Sequence, residues 1–249
     1  MLTKEKINAL KSLDLRAFLF DMDGVLYDSM PFHAKAWTYA FALEGVTFDA
    51  YNVYMREGMT GSSTIEEVFR LQLNKQATEE DCQRIYKTKA DYFVSLGQAP
   101  EMKDVDTVLE CVMKYHLEPF LVTGSGQKTL IDKLNHSFPN VFKKENMVTA
   151  FDVKKGKPDP EPYLMALKKG NLNANQAIVI ENAPMGVRSA KAAGIFTIAV
   201  NTGILKDEEL WKEGADLVYP SMKELRKELD TIIEMSSMNL PSNHLKTAK

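Results

Sequence analysis

Short, almost uninterrupted runs of apolar residues recur along the chain, and each ends at a carboxylate or a turn residue. The runs are Ala17–Asp21, Pro119–Thr123, Met147–Phe151, Ala177–Glu181, Phe196–Val200 and Asp216–Tyr219. Strands of a parallel sheet have this composition because helices cover both of their faces. The pattern therefore predicts six strands of a parallel sheet.

Helical stretches separate these strands from Leu117 onward. They are Lys128–Ser137, Pro160–Lys169, Met185–Ala193 and Asp207–Glu213. Pro160 falls in a predicted first helical turn and Gly170 at a predicted helix end, the positions that proline and glycine favour. Strands alternating with helices predict an α/β fold with a doubly wound parallel sheet.

The segment from about Ser29 to Ala99 contains no strong strand run and predicts only helices. These are Pro31–Leu43, Ala50–Gly58, Ser63–Leu73 and Thr78–Leu96. A helical block inserted after the first strand predicts a separate lid over the sheet. We therefore expect a core built from residues 1–28 and 100–235, a helical cap over residues 29–99, and a frayed tail over residues 236–249.

Composition excludes several classes of protein. The 249 residues are 45% hydrophobic and 26% charged, which is ordinary for a soluble domain. The formal net charge is −3 and basic runs are no longer than pairs, so we expect no nucleic-acid partner. No stretch approaches 18 uninterrupted apolar residues, so we expect no membrane span. We expect a cytoplasmic protein that is a monomer or a small homo-oligomer.

Cysteine usage narrows the picture further. Cys82 and Cys111 are far apart and form no CxxC pair. This pattern excludes a secreted disulfide scaffold and a thiolate zinc site. A single disulfide bridge and two reduced thiols both remain open.

The first apolar run ends by presenting two carboxylates, Asp21 and Asp23, followed by Gly24, which permits a sharp turn. Ligand sites of open α/β sheets lie beyond the carboxyl ends of the strands. Two adjacent carboxylates repel each other, and a hard cation such as Mg²⁺ offsets this repulsion. A solvated turn is the alternative. An EF-hand loop is excluded because its fifth, sixth and twelfth positions would be Val25, Leu26 and Phe32.

The segment Asp-Met-Asp-Gly-Val at residues 21–25 resembles the first motif of the haloacid dehalogenase (HAD) superfamily of phosphotransferases. Three further segments resemble the remaining motifs of that family, in the family's order. They are Val122–Ser125, Gly156–Tyr163 and Val179–Val187. Together the four segments cover nearly the whole chain, and the helical insertion resembles the family's small α-helical cap. The resemblance implies a Rossmann-like core.

The same resemblance implies covalent phosphoryl transfer. Asp21 would attack phosphorus, and Asp23 would protonate the leaving oxygen and later take a proton from water. Thr123 and Lys157 would stabilise the charge of the transferring phosphoryl group. The implied cofactor is Mg²⁺, held by Asp21, Asp23, Glu181 and Asn182. The family usually has two acidic residues where this chain has Glu181 and Asn182, so the site lacks one negative charge, although an amide carbonyl still coordinates Mg²⁺.

Each of these segments also has a plain structural interpretation. Thr123, Gly124 and Ser125 either offer a hydroxyl and backbone amides to a phosphoryl oxygen or form an ordinary strand-to-helix turn. A Walker loop is excluded because Gln127 separates Gly126 from Lys128. Lys157 in a proline-rich loop fits a solvated charge equally, and Glu181 with Asn182 fits a capped turn.

The cap decides the substrate class within this family. The chain most resembles the β-phosphoglucomutase-like branch, in which the place of His33 helps to move a proton and a cap arginine grips the distal phosphate of the sugar. Gly61 stands where that arginine is expected. Glu57, four residues earlier, is either an additional metal contact or a solvated helix-end charge. Lys89 either reaches a phosphate or is a solvated lysine on a helix face.

The whole pattern resembles a HAD phosphatase close to the bacterial inorganic pyrophosphatases of this branch. We therefore predict a Mg²⁺-dependent phosphohydrolase acting on a small phosphorylated substrate, with pyrophosphate first. His33, Glu57, Lys89, Gly124 and Ser125 are the predicted substrate-binding residues. β-Phosphoglucomutase activity is the alternative, and a catalytically silent binding protein on the same fold is a more distant one.

Overall fold

The computed structural model describes residues 3–125 and 128–237 and contains a six-stranded parallel sheet in the order β3-β2-β1-β4-β5-β6. The strands are β1 (Ala17–Phe20), β2 (Glu118–Val122), β3 (Met147–Val148), β4 (Ala177–Glu181), β5 (Phe196–Val200) and β6 (Leu217–Tyr219). The strand order reverses between β1 and β4, which places the ligand crevice of a doubly wound sheet beside these two strands. The predicted fold class is confirmed.

One predicted strand is shorter than expected. β3 ends at Val148, whereas the apolar run continues to Phe151. The Asp152 carboxylate accepts hydrogen bonds from the backbone N–H and the hydroxyl of Thr149, which bends the chain out of the sheet. Phe151 is left 81% exposed on the resulting turn. The prediction of a strand through Phe151 is therefore wrong.

Eleven α-helices lie within the described residues. They are α1 (Lys4–Lys11), α2 (Met30–Ala42), α3 (Ala50–Met55), α4 (Gly61–Val68), α5 (Glu79–Ser95), α6 (Val105–Lys114), α7 (Lys128–Ser137), α8 (Glu161–Gly170), α9 (Pro184–Ala192), α10 (Asp207–Lys212) and α11 (Met222–Ser236). No described helix has both the length and the apolar character needed to cross a membrane.

Three of these helices, α1, α6 and α11, lie in segments where no element was predicted. α11 buries Leu225, Leu229 and Ile232 at helical spacing, so its apolar stripe carries the signal that the prediction missed. Ser236, the first residue of the predicted tail, is still helical and buried. The remainder of that tail, from residue 238 onward, lies outside the described residues.

The sheet is covered on both faces, as its apolar strands require. Phe18 and Phe20 of β1 pack into the large apolar cluster that also contains side chains of α6 and α11. Leu19, between them, packs on the opposite face against side chains of α8 and α9. Successive side chains of a strand point to opposite faces, so one strand contributes to both layers.

The inserted helices α2 to α5 form a cap whose apolar cluster includes Trp37, Phe41 and Ile65, and Leu205 of the core also packs into this cluster. Thr78 begins α5 with a reciprocal capping box to Asp81. A π-helical turn (Phe69–Leu73) extends α4.

The two chain segments that join the cap to the core run side by side. The backbone N–H of Asp28 donates to the carbonyl of Pro100 at 2.9 Å, and that of Met102 donates to the carbonyl of Leu26 at 2.9 Å. Tyr27 and Glu101 form an antiparallel bridge between these bonds. The cap is therefore an insertion whose entry and exit lie at one point of the core.

Candidate active site

The carboxyl ends of β1, β2 and β4 bring the predicted motifs together at one edge of the sheet. Asp21 directly follows β1, Thr123 directly follows β2, and Glu181 is the last residue of β4. The backbone N–H of Asp21 continues the ladder to the Ile180 carbonyl at 3.0 Å, which fixes where this carboxylate begins. All three side chains are buried.

Lys157 links two of these strand ends. Its ammonium donates to Asp21 Oδ1 at 2.5 Å, to Glu181 Oε1 at 2.6 Å and to the Val122 carbonyl at 3.1 Å, so all three of its donors are used. The residue is only 2% exposed, which excludes the alternative of a solvated lysine. Burial alone would lower the pKa of Lys157, but the carboxylates of Asp21 and Glu181 together raise it.

The surroundings of Asp21 disfavour its ionised form. Burial raises its pKa to about 7, and the negative charges of Glu181 and Asp23 add to this rise, although Lys157 opposes it. A cation bound nearby would lower the pKa of Asp21, because it stabilises the ionised carboxylate.

Glu181 is held in place by bonds to both of its oxygens. Oε1 accepts from the Tyr163 hydroxyl at 2.8 Å as well as from Lys157, and Oε2 accepts from the backbone N–H of Asn182 at 2.9 Å and of Ala183 at 3.3 Å. A Cβ atom on Gly186 would lie 1.8 Å from Oε1, so the glycine of α9 makes room for this carboxylate. Glu181 therefore organises the end of β4.

Two buried oxygens at this edge fit a magnesium ion. Among the described residues, the buried side-chain oxygens without a hydrogen-bond partner include Asp21 Oδ2 and Asn182 Oδ1. Both are hard donors of the kind that Mg²⁺ prefers, and a buried oxygen without a partner is costly unless a cation binds it. No cage of three or more His, Cys, Asp or Glu side chains occurs in the described part of the chain. The candidate donor set is one carboxylate and one amide oxygen.

The turn after β1 brings Asn182 into this position. Gly24 adopts a left-handed backbone with φ of 85°, and a Cβ atom on it would lie 2.0 Å from Asn182 Nδ2. Only glycine satisfies both the turn and this close approach.

Asp23 belongs to a second hydrogen-bond network, separate from that of Asp21. Its Oδ1 accepts from the Ser29 hydroxyl at 2.6 Å and lies 3.0 Å from His33 Nε2, and Lys89 Nζ lies 2.9 Å from His33 Nδ1. An ammonium can only donate, so His33 Nδ1 accepts and the proton on Nε2 is donated to Asp23. Burial opposes ionisation of Asp23, but His33 and Ser29 outweigh it and lower its pKa.

Lys89 is not the solvated lysine that a helix face suggested. It is 3% exposed and its ammonium lies over the rings of Phe93 at 5.1 Å and Trp37 at 5.4 Å. Burial lowers the pKa of Lys89 to about 8. Burial also lowers the pKa of His33, and the positive charge of Lys89 lowers it further. The imidazole therefore favours the neutral form that this chain of hydrogen bonds requires.

A cavity of about 40 Å³ between the cap and the core is lined by the predicted substrate residues His33, Glu57, Lys89, Gly124 and Ser125, together with Asp23. Burial raises the pKa of Glu57 well above its usual value, and the charges of Asp23 and Asp21 raise it further. Glu57 thus lines the cavity between the cap and the core and is not a solvated helix-end charge. At the core side of the cavity, the Thr123 hydroxyl accepts from the Ser125 N–H at 2.9 Å.

Three residues of this site received no role in the sequence analysis. Tyr163 supports Glu181, Ser29 supports Asp23, and Arg56 lines the cavity beside Glu57. The Arg56 guanidinium is already engaged, since its Nε donates to Glu67 at 3.1 Å. Tyr163 ends the third motif segment, but its contact with Glu181 joins two separate elements, and neither periodicity nor a motif predicts such a contact.

Comparison with known proteins identifies the family. The family model of haloacid dehalogenase-like hydrolases matches residues 18–200, which include all four motif segments. The chain belongs to the haloacid dehalogenase-like hydrolase family. It is accordingly an enzyme of the HAD phosphatase and phosphotransferase class, and the alternative of a catalytically silent binding protein is not supported. Members of this family generally use Mg²⁺.

Several characterised or solved HAD proteins are similar to this chain. A structure from Bacteroides vulgatus, provisionally named a β-phosphoglucomutase, is 49% identical, has a TM-score of 0.89, and is aligned over 93% of this chain and 97% of its own. Validoxylamine A 7′-phosphate phosphatase of Streptomyces hygroscopicus subsp. limoneus is 29% identical over 84% of this chain and 94% of its own. The phosphorylated carbohydrates phosphatase of Thermotoga maritima is 28% identical over 88% of this chain and its full length.

Replacing Lys157 by methionine tests its electrostatic role in this HAD enzyme. The change leaves buried carboxylates without their cation, and we expect a loss of about 3–5 kcal/mol in unfolding free energy at about pH 8. The folded-state pKa of Asp21 rises further above its unfolded value. The deficit should therefore be smallest near about pH 5, where Asp21 is protonated in both folded proteins, and should grow as the pH rises above about 7, the pKa of Asp21 in the parent.

Urea unfolding in the presence of EDTA measures this dependence without a bound metal. Lys154→Met, in the same loop but exposed, is the matched control and should show no such trend. A deficit that is constant between the two pH values would contradict the assigned pairing of Lys157 with Asp21.

Proposed function

We propose that this HAD enzyme is a Mg²⁺-dependent phosphohydrolase that works through an aspartyl phosphate on Asp21 and favours inorganic pyrophosphate. The observation that carries the choice of substrate is the carboxylate of Glu57, which the cap presents to the core carboxylates inside a small cavity.

The core residues supply the chemistry of phosphoryl transfer. Lys157 holds Asp21 by Oδ1, which orients the nucleophile and offsets its charge, and Oδ2 has no hydrogen-bond partner among the residues that the structure describes. Asp23, held by Ser29 and His33, acts as a general acid in its protonated form by donating to the leaving oxygen, and the resulting carboxylate then accepts a proton from the attacking water. The Thr123 hydroxyl and nearby backbone amides stabilise the equatorial phosphoryl oxygens. Mg²⁺, held by Asp21 and Asn182, would supply further charge stabilisation.

The size of the cavity favours a compact substrate. A buried water needs about 10–15 Å³ of such space, so about 40 Å³ accommodates only a few groups of that size with the cap in this position. Pyrophosphate adds one phosphoryl group beyond the one that reacts, whereas a hexose phosphate adds an entire sugar ring.

Glu57 favours a substrate that carries metal into the cap, because its raised pKa favours the neutral acid until a nearby cation stabilises the ionised carboxylate. A carboxylate facing a substrate dianion is repulsive unless a cation or its water lies between them. Pyrophosphate binds Mg²⁺ through both phosphoryl groups, so its distal group can bring the cation within reach of Glu57. The neutral ring of a hexose monophosphate gains nothing comparable.

Position 61 lacks the arginine that the resemblance to sugar mutases implies, and the structure leaves no room for it. A Cβ atom on Gly61 would lie 2.3 Å from Cδ2 of Tyr86, inside the ring's contact distance. The nearby Arg56 is bonded within the cap to Glu67 and Asn52. This packing argues against an arginine in the cap that binds the distal phosphate of a sugar bisphosphate.

Activity on sugar phosphates is the second candidate, either as a phosphatase or as a β-phosphoglucomutase. It is favoured by the named activities of similar proteins from Thermotoga maritima and Bacteroides vulgatus. A panel of pyrophosphate, hexose 1- and 6-phosphates and an aryl phosphate, each with Mg²⁺ and with EDTA, distinguishes the candidates. Interconversion of glucose 1- and 6-phosphates with pyrophosphate inert would replace the first proposal by the second.

Replacing Glu57 by alanine should lower kcat/KM for pyrophosphate by about 10–100-fold, the usual cost of losing a group that supports a bound metal. The loss for a hexose phosphate should be much smaller, because its ring brings no cation to the cap. Both values are measured by phosphate release at several Mg²⁺ concentrations. Glu66→Ala, which removes the same charge from the exposed face of α4, is the control and should change neither substrate. Equal losses for both substrates would remove the argument for pyrophosphate.

A further inference from the structure

The cap loop at residues 58–60 rests against two glycines of the core, Gly124 after β2 and Gly156 in the loop that carries Lys157. A Cβ atom on Gly124 would lie 2.5 Å from the carbonyl oxygen of Gly58, and one on Gly156 would lie 2.7 Å from Cγ2 of Thr60. Carbon atoms in contact are about 3.5–4.0 Å apart, so even a methyl group at either position overlaps the cap. We call this pair of core glycines the glycine notch.

Backbone conformation does not explain why glycine stands at these two positions. Neither Gly124 nor Gly156 adopts the left-handed φ that disfavours other residues. Gly58 of the cap differs, because its φ is 87° and it needs glycine for its own backbone. What the glycine notch provides is therefore space for the cap loop.

The seated loop lies directly over the catalytic centre. A Cβ atom on Gly58 would lie 2.7 Å from Cδ of Lys157, so the loop also packs against the side chain that holds Asp21. Glu57 immediately precedes this glycine and lines the cavity. The depth at which the loop sits therefore fixes the distance between Glu57 and the core carboxylates.

We propose that the glycine notch seats the cap loop and sets the position of Glu57, with Gly156 as a positioning residue that never touches substrate. The catalytic consequence rests on the proposed function, whereas the seating itself does not. A methyl group on Gly156 must move Thr60 by about 1 Å to restore normal contact. Thr60 is the N-cap of α4, and its hydroxyl accepts from the Ser63 N–H at 3.2 Å, so its displacement carries the loop with it.

Gly156→Ala is therefore expected to lower kcat/KM by about 10–100-fold, since a shift of about 1 Å in a reacting group has effects of that size. Thr60→Ser removes only Cγ2 and keeps the hydroxyl that caps α4, so alone it should behave as the parent. The double variant Gly156→Ala/Thr60→Ser should regain most of the lost activity because the colliding atom is gone. Gly124→Ala collides with a backbone oxygen instead, so Thr60→Ser should not restore it.

Gly170→Ala is the control for a methyl group that collides elsewhere. Its Cβ atom would lie 2.7 Å from Phe120 Cζ inside the core, at the same distance but away from the cap. This variant should lose stability and keep the parent's kcat and KM.

Hydrogen exchange of the peptide that contains residues 57–61 provides a readout that needs no substrate. Exchange there should be faster in Gly156→Ala than in the parent and should return to the parent's rate in the double variant. Unchanged kinetics and exchange in Gly156→Ala, or a loss that Thr60→Ser fails to restore, would overturn the proposal. If pyrophosphate proves inert, the same variants are assayed with whichever phosphate ester the parent hydrolyses, so failure of the notch and failure of the substrate proposal remain distinguishable.

Discussion

Asp21→Asn is expected to reduce turnover by about four orders of magnitude or more, the scale on which enzymes that use a covalent nucleophile respond to its loss. An amide is a poor nucleophile and cannot form the acyl phosphate. The fold should persist, because the replacement is nearly isosteric and the affected carboxylate contributes a hydrogen bond to Lys157 rather than apolar packing. Pyrophosphate hydrolysis in the presence of Mg²⁺ measures the effect.

The covalent intermediate offers a more direct check than the rate. Acid quenching of the parent during turnover should leave a phosphoryl group on the peptide that contains Asp21, and the asparagine variant should show none by mass spectrometry. Circular dichroism and urea unfolding establish that the variant is folded. Activity close to the parent's in a folded Asp21→Asn variant would rule out the covalent mechanism.

Asp23→Asn has the second-largest expected effect, a reduction of about 10²–10⁴-fold in kcat, the usual range for losing a general acid–base. The amide retains the size of the side chain and its contact with the Ser29 hydroxyl, but it can no longer exchange a proton with the leaving oxygen or with water. The loss should be smaller for an aryl phosphate, whose leaving group is a weak base and needs less protonation, than for a hexose phosphate.

Ser29→Ala is the matched comparison for this variant. It removes one hydrogen bond to Asp23 and leaves the carboxylate in place, so its effect should be clearly smaller than that of Asp23→Asn. Equal losses of kcat in Ser29→Ala and Asp23→Asn would mean that the reaction depends on the position of Asp23 and not on its ability to exchange a proton. Parent-like kcat in Asp23→Asn would assign proton transfer to another group.

The strands and the edge at which the site lies were predictable because their signal is local. Each buried strand is a short apolar run, and three of the runs end at Asp21, Thr123 and Glu181. Parallel strands bring their carboxyl ends to the same edge, so topology alone gathers these side chains. The cap was predictable for a similar reason, since an unbroken series of helices cannot continue a parallel sheet.

The remaining features depend on contacts between distant parts of the chain. The burial of Lys89 against Trp37 and His33 requires α5 to pack on α2, which its helix-face position does not reveal. The support of Glu181 by Tyr163 joins α8 to β4. The end of β3 at Val148 depends on the hydrogen bond from the backbone N–H of Thr149 to the Asp152 carboxylate. Hydrophobic periodicity does not predict such a bond.

The adjacent entry and exit of the cap have an evolutionary consequence. Because the N–H of Asp28 and the carbonyl of Pro100 are already bonded, a hairpin turn of about two residues could close the core without the inserted helices. Gain, loss or exchange of the whole insertion would then leave the strand order, Asp21 and Lys157 in place, whereas the contact of His33 with Asp23 would change with the insertion. A related enzyme could therefore acquire a new substrate by exchanging this one insertion while it keeps Asp21 and the strands that position it.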